Sequence, residues 1–280
     1  MTEPGRTVFV AGHPIGHSRS PLIHHHWMEK HGLSGRYVPL DVAPADFEAF
    51  ARTFGEHGYA GGNVTIPHKE VAWRVSALRD DAAEAVGAVN TLWIEDGRIA
   101  GANTDVHGFL ANLDDRAPGW DRAYVALVLG AGGAARAAVY GLIRRGIRDI
   151  RIANRTPERA RELADHFGAG VSGHGNDALR EIAADAGLVV NVTPRGMSAD
   201  QSIPLDPAFL PSDAIVSDTV YVPLETPLLA ASRGRGLRTV DGLGMLLHQA
   251  APAFAKWFGV MPEVTPELRA MVVSDLERIA

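Results

Sequence analysis

Short apolar runs bounded by glycine, proline and polar residues alternate along this chain with longer segments of mixed polarity. That rhythm predicts strands alternating with helices, the pattern of an α/β protein with largely parallel sheets. In the first half the expected elements are strand Thr7 to Ala11, helix Pro21 to His31, strand Arg36 to Leu40, helix Pro44 to His57 and strand Ala60 to Val64. A short helix after Pro67, another from Asp80 to Val86, and strands Ala88 to Ile94 and Arg98 to Ala102 follow, the last two joined by an Asp96-Gly97 turn. Pro21 and Pro44 stand where helices start.

A second series opens near Arg122, with apolar run Tyr124 to Leu129, helix Ala134 to Arg145 and strand Ile150 to Ala153. Helices Pro157 to Phe167 and Asp177 to Ala184, strands Leu188 to Val192 and Ala214 to Asp218, helix Thr226 to Arg233 and strand Arg238 to Val240 continue it. Helices Met245 to Phe258 and Pro266 to Ile279 close the chain after a loop, Asp241 to Gly244, whose glycines 242 and 244 imply a hinge or a close approach to a ligand. Since this series starts so late, roughly the first hundred residues form their own domain, most economically for a substrate.

The junction of the second series carries the clearest chemistry. Gly130, Ala131, Gly132, Gly133, Ala134 and Ala135 follow an apolar strand and open a helix. Glycines there let the backbone turn sharply and approach a pyrophosphate, amides at the helix start face the phosphates, and Ala135 lets the helix lie close on the sheet. A lone turn of this kind often only closes a βα unit. Here the next strand ends in Asn154, Arg155 and Thr156, with Arg159 beyond, about 20 to 25 residues on, where an NAD site places an acid on the ribose. Cations suit a 2′-phosphate, so the cofactor reading is NADP.

Composition narrows the classes. The 280 residues, 46% hydrophobic, suffice for two domains with buried cores. Net charge is −6 and no segment concentrates Lys and Arg, which argues against nucleic acid; Arg144, Arg145 and Arg148 read as solvated helix caps. The absence of cysteine excludes disulfides, thiolate metal sites and a cysteine nucleophile. The first six residues lack a signal-type pattern and every apolar stretch is interrupted before membrane-spanning length, so a soluble, cytoplasmic protein is expected.

In the first domain, polar residues gather at expected strand ends: Ser18 and Ser20, Asn63, Thr65 and Lys69, Asn90 and Thr91, and Asn103, Thr104 and Asp105. Parallel sheets bring such ends around one crevice. Ser18 and Ser20 with helix-start amides suit a carboxylate, although Ser20 alone also reads as an N-cap. Lys69 is either a surface lysine or a proton donor to the oxyanion that develops when hydride reduces a ketone. Asp105 holds that lysine, binds a substrate hydroxyl, or caps helix Val106 to Leu113. His24, His25 and His26 point different ways on a helix, so no metal is expected. Trp73, Trp93 and Trp257 read as core or rim packing, and no G-x-S-x-G turn supports a serine nucleophile.

Taken together these motifs resemble the NADP-dependent shikimate dehydrogenases nearly end to end: His17 to Pro21, Asn63 to Lys69, Gly87 to Thr91, Asn103 to Asp105, the glycine turn, Asn154 to Thr156, and Asp241 to Met245 followed by Gln249. The resemblance implies a two-lobed α/β fold, an N-terminal substrate domain of residues 1–106 and 242–280 and a Rossmann-type NADP-binding domain of residues 107–241, with a cleft that opens and closes. It implies reversible reduction of 3-dehydroshikimate to shikimate with Lys69 and Asp105 catalytic. Ser18 and Ser20 would take the substrate carboxylate, Thr65, Asn90, Asp105 and Gln249 its ring hydroxyls, and Tyr221 would lie near substrate and nicotinamide. The cofactor set is Gly130, Ala131, Gly132, Gly133, Ala134, Asn154, Arg155, Thr156, Arg159, Thr193 and Gly242. Arg195, Val106 and His107 depart from the family pattern without touching the catalytic pair.

The partner expected is this small molecule, bound by a monomer or homodimer. Alternatives are a quinate/shikimate dehydrogenase, an aminoshikimate-type paralogue and, more distantly, a methylene-tetrahydrofolate dehydrogenase or a non-catalytic NADP sensor. The missing acid after the second strand favours shikimate over an NAD-dependent quinate enzyme, and a sensor has no need of both Lys69 and Asp105.

Overall fold

A computed structural model describes residues 5–197 and 200–278, which fall into two compact units, one running to Asp105 and resuming at Leu247, the other covering Val106 to Leu246. The first unit begins β1 (Arg6–Gly12), α1 (Ser20–Lys30), β2 (Gly35–Asp41), α2 (Phe47–Thr53), β3 (Tyr59–Val64) and α3 (Lys69–Val75). It continues with β4 (Leu78–Arg79), α4 (Asp81–Val86), β5 (Thr91–Glu95) and β6 (Arg98–Ala102). The sheet order is β2-β1-β3-β5-β6-β4. β1 runs parallel to both its neighbours, while β5 is antiparallel to β3 and β6. Asp96 and Gly97 both have positive φ, as a two-residue hairpin turn requires. Because β2 and β3 lie on opposite sides of β1, the loops leaving the carboxyl ends of these strands diverge and open a crevice there.

α5 (Thr104–Arg116) leads into the second unit: β7 (Val125–Leu129), α6 (Gly133–Arg144), β8 (Asp149–Asn154), α7 (Pro157–Phe167), β9 (Val171–Gly175) and α8 (Leu179–Ile182). β10 (Leu188–Asn191), β11 (Ile215–Asp218), α9 (Pro227–Gly234) and β12 (Arg238–Val240) complete its sheet, and α10 (Leu243–Phe258) and α11 (Pro266–Glu277) follow. All six strands are parallel in the order β12-β11-β10-β7-β8-β9. This is the doubly wound dinucleotide-binding order, with its switch point between β7 and β10. β7 is buried at every position, as expected for a central strand covered on both faces.

Several expectations are corrected. α2 starts at Phe47 and ends at Thr53, because residues 43–46 close a turn in which Asp46 N–H donates to Ala43 O. The expected strand from Ala88 begins at Thr91, and the helix Asp177 to Ala184 divides into a 3-10 turn, Asn176–Ala178, and α8. β4 is too short, and β9 too glycine-rich, to announce themselves. Gly173 in β9 lies where a Cβ would come within 2.4 Å of the α7 backbone, so helix packing, not strand propensity, selects that residue. Gly244 is helical, not part of a loop. Arg145 is the C-cap residue of α6, as expected, but its guanidinium is not free in solvent: it pairs with Asp114 and Asp121 and lies 5.6 Å from the centre of the Trp120 ring. Trp257 is core, donating to Leu92 O, whereas Trp73 and Trp93 are half-buried beneath Arg79 and Lys256. Ile279, the expected end of the last helix, and the first four residues lie outside the described residues.

Candidate active site

In the first unit the carboxyl end of β3 delivers Asn63, Thr65 and then Lys69, the opening residue of α3. His68, just before it, is buried, stacks on Phe47 with ring centres 4.2 Å apart and donates Nε2–H to Val42 O at 2.8 Å. Burial holds that imidazole below its ordinary pKa. The start of α3 is thereby fixed against β2 and α2, which fixes where the Lys69 side chain begins. Lys69 Nζ donates to Asp105 Oδ2 at 2.5 Å, and the two side chains retain 29% and 15% exposure, enough to meet a ligand. Asp105 lies in the first turn of α5, and its oxygens face Lys69 and Asn90. Its capping role is therefore excluded.

Asn90 Nδ2 lies 2.8 Å from Asp105 Oδ1, 3.0 Å from Thr104 Oγ1 and 3.4 Å from Gln249 Oε1, while its Oδ1 accepts from Thr104 N and Thr91 Oγ1. Asn63 Nδ2 donates to Asn90 O and Thr91 Oγ1, and Asn63 Oδ1 accepts from Tyr37 at 2.7 Å. Asn63, Asn90, Thr91 and Thr104 are each under 7% exposed, so this is a satisfied buried network that orients the groups above it. Lys69, Asp105, Asn90 and Gln249 thus come together. Thr65 is half-buried after β3. Ser20 lies inside α1 and does not cap it; Ser18 Oγ instead accepts from Ser20 N at 3.3 Å. The roles of Asn63, Thr91 and Thr104 were not legible beyond their place at strand ends, and Tyr37 sits in mid-strand with no signal at all.

His24 is fully buried, its ring stacked 4.1 Å above Tyr37, and burial lowers its pKa to about 3. His25 accepts from Tyr37 N. These are packing roles, and no cluster of three potential metal ligands occurs among the described residues.

In the second unit the turn after β7 has Gly130 at φ +115°, a conformation open to glycine. Gly132 is the N-cap of α6, no side chain caps that helix, and a Cβ on Gly132 or Gly133 would meet open space. Amides facing an open cradle of that kind accept a phosphate. Ala131 is half-buried and Ala134 exposed, while Ala135 is fully buried against the sheet. After β8, Asn154 Nδ2 donates to Thr156 O at 2.9 Å and holds the turn that presents Arg155; Arg155 and Arg159 are exposed. The residues fit a dinucleotide with a 2′-phosphate. Thr193 leaves the end of β10, and a Cβ on Gly130 would stand 3.1 Å from its methyl. Tyr221 is half-buried beyond β11. Gly242 makes its close approach to protein: a Cβ there would stand 2.2 Å from Thr219 O. Of the three departures, Val106 is buried, while His107 and Arg195 are exposed.

A doubly wound sheet with a phosphate turn and cations at the second strand, carried on one chain with a lysine–carboxylate pair, defines an NADP-dependent oxidoreductase. Three family models match in succession: the shikimate dehydrogenase substrate binding domain over residues 10–92, shikimate/quinate 5-dehydrogenase over 116–196, and the shikimate 5′-dehydrogenase C-terminal domain over 242–269. A shikimate dehydrogenase (NADP(+)) of Mesorhizobium japonicum is 61% identical over 99% of both chains, and one of Chelativorans sp. is 57% identical with the same coverage. Among solved structures, the Thermus thermophilus shikimate 5-dehydrogenase in complex with NADP(H) and shikimate is 34% identical, with TM-score 0.87 over 97% of this chain and 99% of that one. The Corynebacterium glutamicum quinate dehydrogenase in complex with NAD is 30% identical, with TM-score 0.88 over 97% and 100%. The chain belongs to the shikimate dehydrogenase family.

Proposed function

We propose that this protein catalyses the NADP-dependent, reversible reduction of 3-dehydroshikimate to shikimate, with residues 1–106 and 242–280 binding substrate and 107–241 binding NADP. The observation that carries the reading is the 2.5 Å Lys69–Asp105 pair joined through Asn90 to Gln249. NADPH supplies the hydride that reaches the ketone carbon. As the carbonyl oxygen gains charge, the Lys69 ammonium stabilises it and transfers a proton from Nζ, so one NADPH and one proton are consumed per alcohol formed. Asp105 keeps Nζ in place through Oδ2, and Asn90 fixes Asp105 through Oδ1. Ser18 and Ser20 take the substrate carboxylate; Thr65, Asn90, Asp105 and Gln249 take the ring hydroxyls; Tyr221 is a further substrate-binding residue.

The glycine turn with Gly130 to Ala134 takes the pyrophosphate, Asn154, Arg155, Thr156 and Arg159 the 2′-phosphate, and Thr193 and Gly242 border the other nucleotide. We place the enzyme in the cytoplasm, where NADPH is drawn on for biosynthesis, as a monomer or homodimer. The test is absorbance at 340 nm with shikimate or quinate, each with NADP or NAD. Turnover at least tenfold higher with shikimate and NADP than with any other pairing supports the reading; preference for quinate or NAD would transfer the protein to the quinate branch of the family.

A further inference from the structure

A doubly wound sheet binds a dinucleotide across its switch point, one mononucleotide on each half. Here the half with β7, β8 and the arginines takes the adenosine 2′-phosphate, so the ends of β10 and β11 border the nicotinamide half. At those ends stands a buried carboxylate that the reaction does not use. Asp218, the last residue of β11, is paired in register with Asn191, the last of β10, and both are 0% exposed, as is Thr226. Asp218 Oδ1 accepts from Asn191 Nδ2 at 2.9 Å and from Val220 N at 3.0 Å, and Oδ2 accepts from Thr226 Oγ1 at 2.7 Å.

An asparagine amide has two orientations, and the carboxylate selects one. With its NH2 turned to Asp218, Asn191 must present Oδ1 to Thr193, where it accepts from Thr193 N at 3.1 Å and Oγ1 at 2.7 Å. Asn191 O also accepts from Thr219 N and Oγ1. One carboxylate thereby sets the Thr193 turn that lies against Gly130, and, through Val220 N and the Thr226 cap of α9, both ends of the segment carrying Tyr221. Burial raises the Asp218 carboxyl above its ordinary range, and the three converging donors oppose that shift.

Resting on the reading that this unit binds NADP, we propose that Asp218, acting through Asn191, is a positioning residue for the nicotinamide end of the cofactor. Wild type, Asp218→Ala and Asp218→Asn, each verified as folded by circular dichroism, are compared for binding of adenosine 2′,5′-bisphosphate and NADPH by calorimetry and for kcat and KM. The bisphosphate reports only the adenosine half. Its Kd should stay within about twofold in all three proteins, while Asp218→Ala loses at least tenfold in kcat and several-fold in NADPH affinity. Asp218→Asn, which keeps an oxygen for Asn191 and Val220, should recover most of the loss.

A folded Asp218→Ala with wild-type kcat would overturn the proposal and leave a purely structural role. Should that variant not fold, Asn191→Ala carries the same test, because it removes the amide that links Asp218 to Thr193; wild-type turnover in it would equally overturn the proposal. Failure of the bisphosphate to bind the wild type would instead remove the NADP reading, and this proposal with it.

Discussion

Replacing Lys69 with alanine takes away an ammonium and leaves the backbone contacts of α3 intact, since Lys69 O still accepts from Val89 N. Two consequences separate. For stability, Asp105 loses one partner but keeps Asn90 and some contact with water, so the loss is about 1 kcal/mol or less, as for partly exposed ion pairs. For the reaction, a positioned proton donor contributes about 10²- to 10⁴-fold, which at about 1.4 kcal/mol per decade is roughly 3–5.5 kcal/mol of the barrier. The KM for shikimate should change far less than kcat, because ring hydroxyls keep Asn90, Thr65 and Gln249.

Asp105→Asn tests the coupling. The amide places an NH2 against one of two donors, Lys69 or Asn90, and in either orientation removes the negative charge that holds the ammonium, so kcat should fall about 10- to 10³-fold. Since both residues act as one unit, the double variant should be within about threefold of Lys69→Ala alone. The measurement is steady-state kcat and KM at 340 nm on proteins of matched melting temperature. A Lys69→Ala enzyme within threefold of wild-type kcat, or fully additive losses in the double variant, would refute the assigned roles.

Arg155→Ala should raise the Kd for NADPH about 10- to 100-fold, the worth of a charged hydrogen bond, with little change for NADH, and the discrimination should shrink as salt rises because the residue is exposed; competitive binding of the two cofactors reads it. Gly244→Ala places a Cβ 1.9 Å from Asn112 Oδ1, on a side chain already held by its donation to Asp241 O, so denaturant unfolding should show a loss of about 1–3 kcal/mol. His24 titrates near 6.5 when unfolded and at about 3 when folded. The unfolded chain therefore binds the extra proton between those values, so the stability is fully present above pH 6.5 and is lost as pH falls toward about 3 by about 1.4 kcal/mol per unit. His24→Phe should flatten that acid limb in denaturant titrations from pH 7 to 4, and an unchanged slope would contradict it.

The sequence exposes features that depend on local chemistry and conceals those that depend on long-range packing. The phosphate turn reads directly, since strand, glycines and helix are contiguous, and its arginines stand one strand later. Lys69 and Asp105 are 36 residues apart, and residue chemistry offered their pairing only as one of three roles for Asp105; the fold brings them together with Asn90 on the second carboxylate oxygen. β9 was hidden because a glycine demanded by α7 weakens its alternation. Gly242 and Gly244 were visible as demands for space, but whether a ligand or the protein fills that space is a tertiary fact: Thr219 O and Asn112 do. Asp218 looked like the polar end of an apolar strand, because three of its partners come from a neighbouring strand, a turn and a helix cap.

Overall shape does not choose the chemistry within this family. The T. thermophilus enzyme in complex with NADP(H) and shikimate and the C. glutamicum quinate dehydrogenase in complex with NAD match this chain at TM-scores of 0.87 and 0.88. Selection must therefore rest on a few side chains carried by a common frame. At the end of β8 the frame presents an asparagine-held turn, Asn154 to Thr156, with no acid and with the exposed Arg155 and Arg159, which suits a 2′-phosphate and offers a bare ribose hydroxyl no carboxylate at the strand's end. In the first unit, the buried Tyr37–Asn63–Asn90 network fixes the direction of the Asn63 and Asn90 amides. On the proposed reading, a substrate that matches those preset groups should lose little on binding, whereas one that adds or moves a hydroxyl should leave a buried polar group unpaired, which predicts discrimination by side chains rather than by the fold.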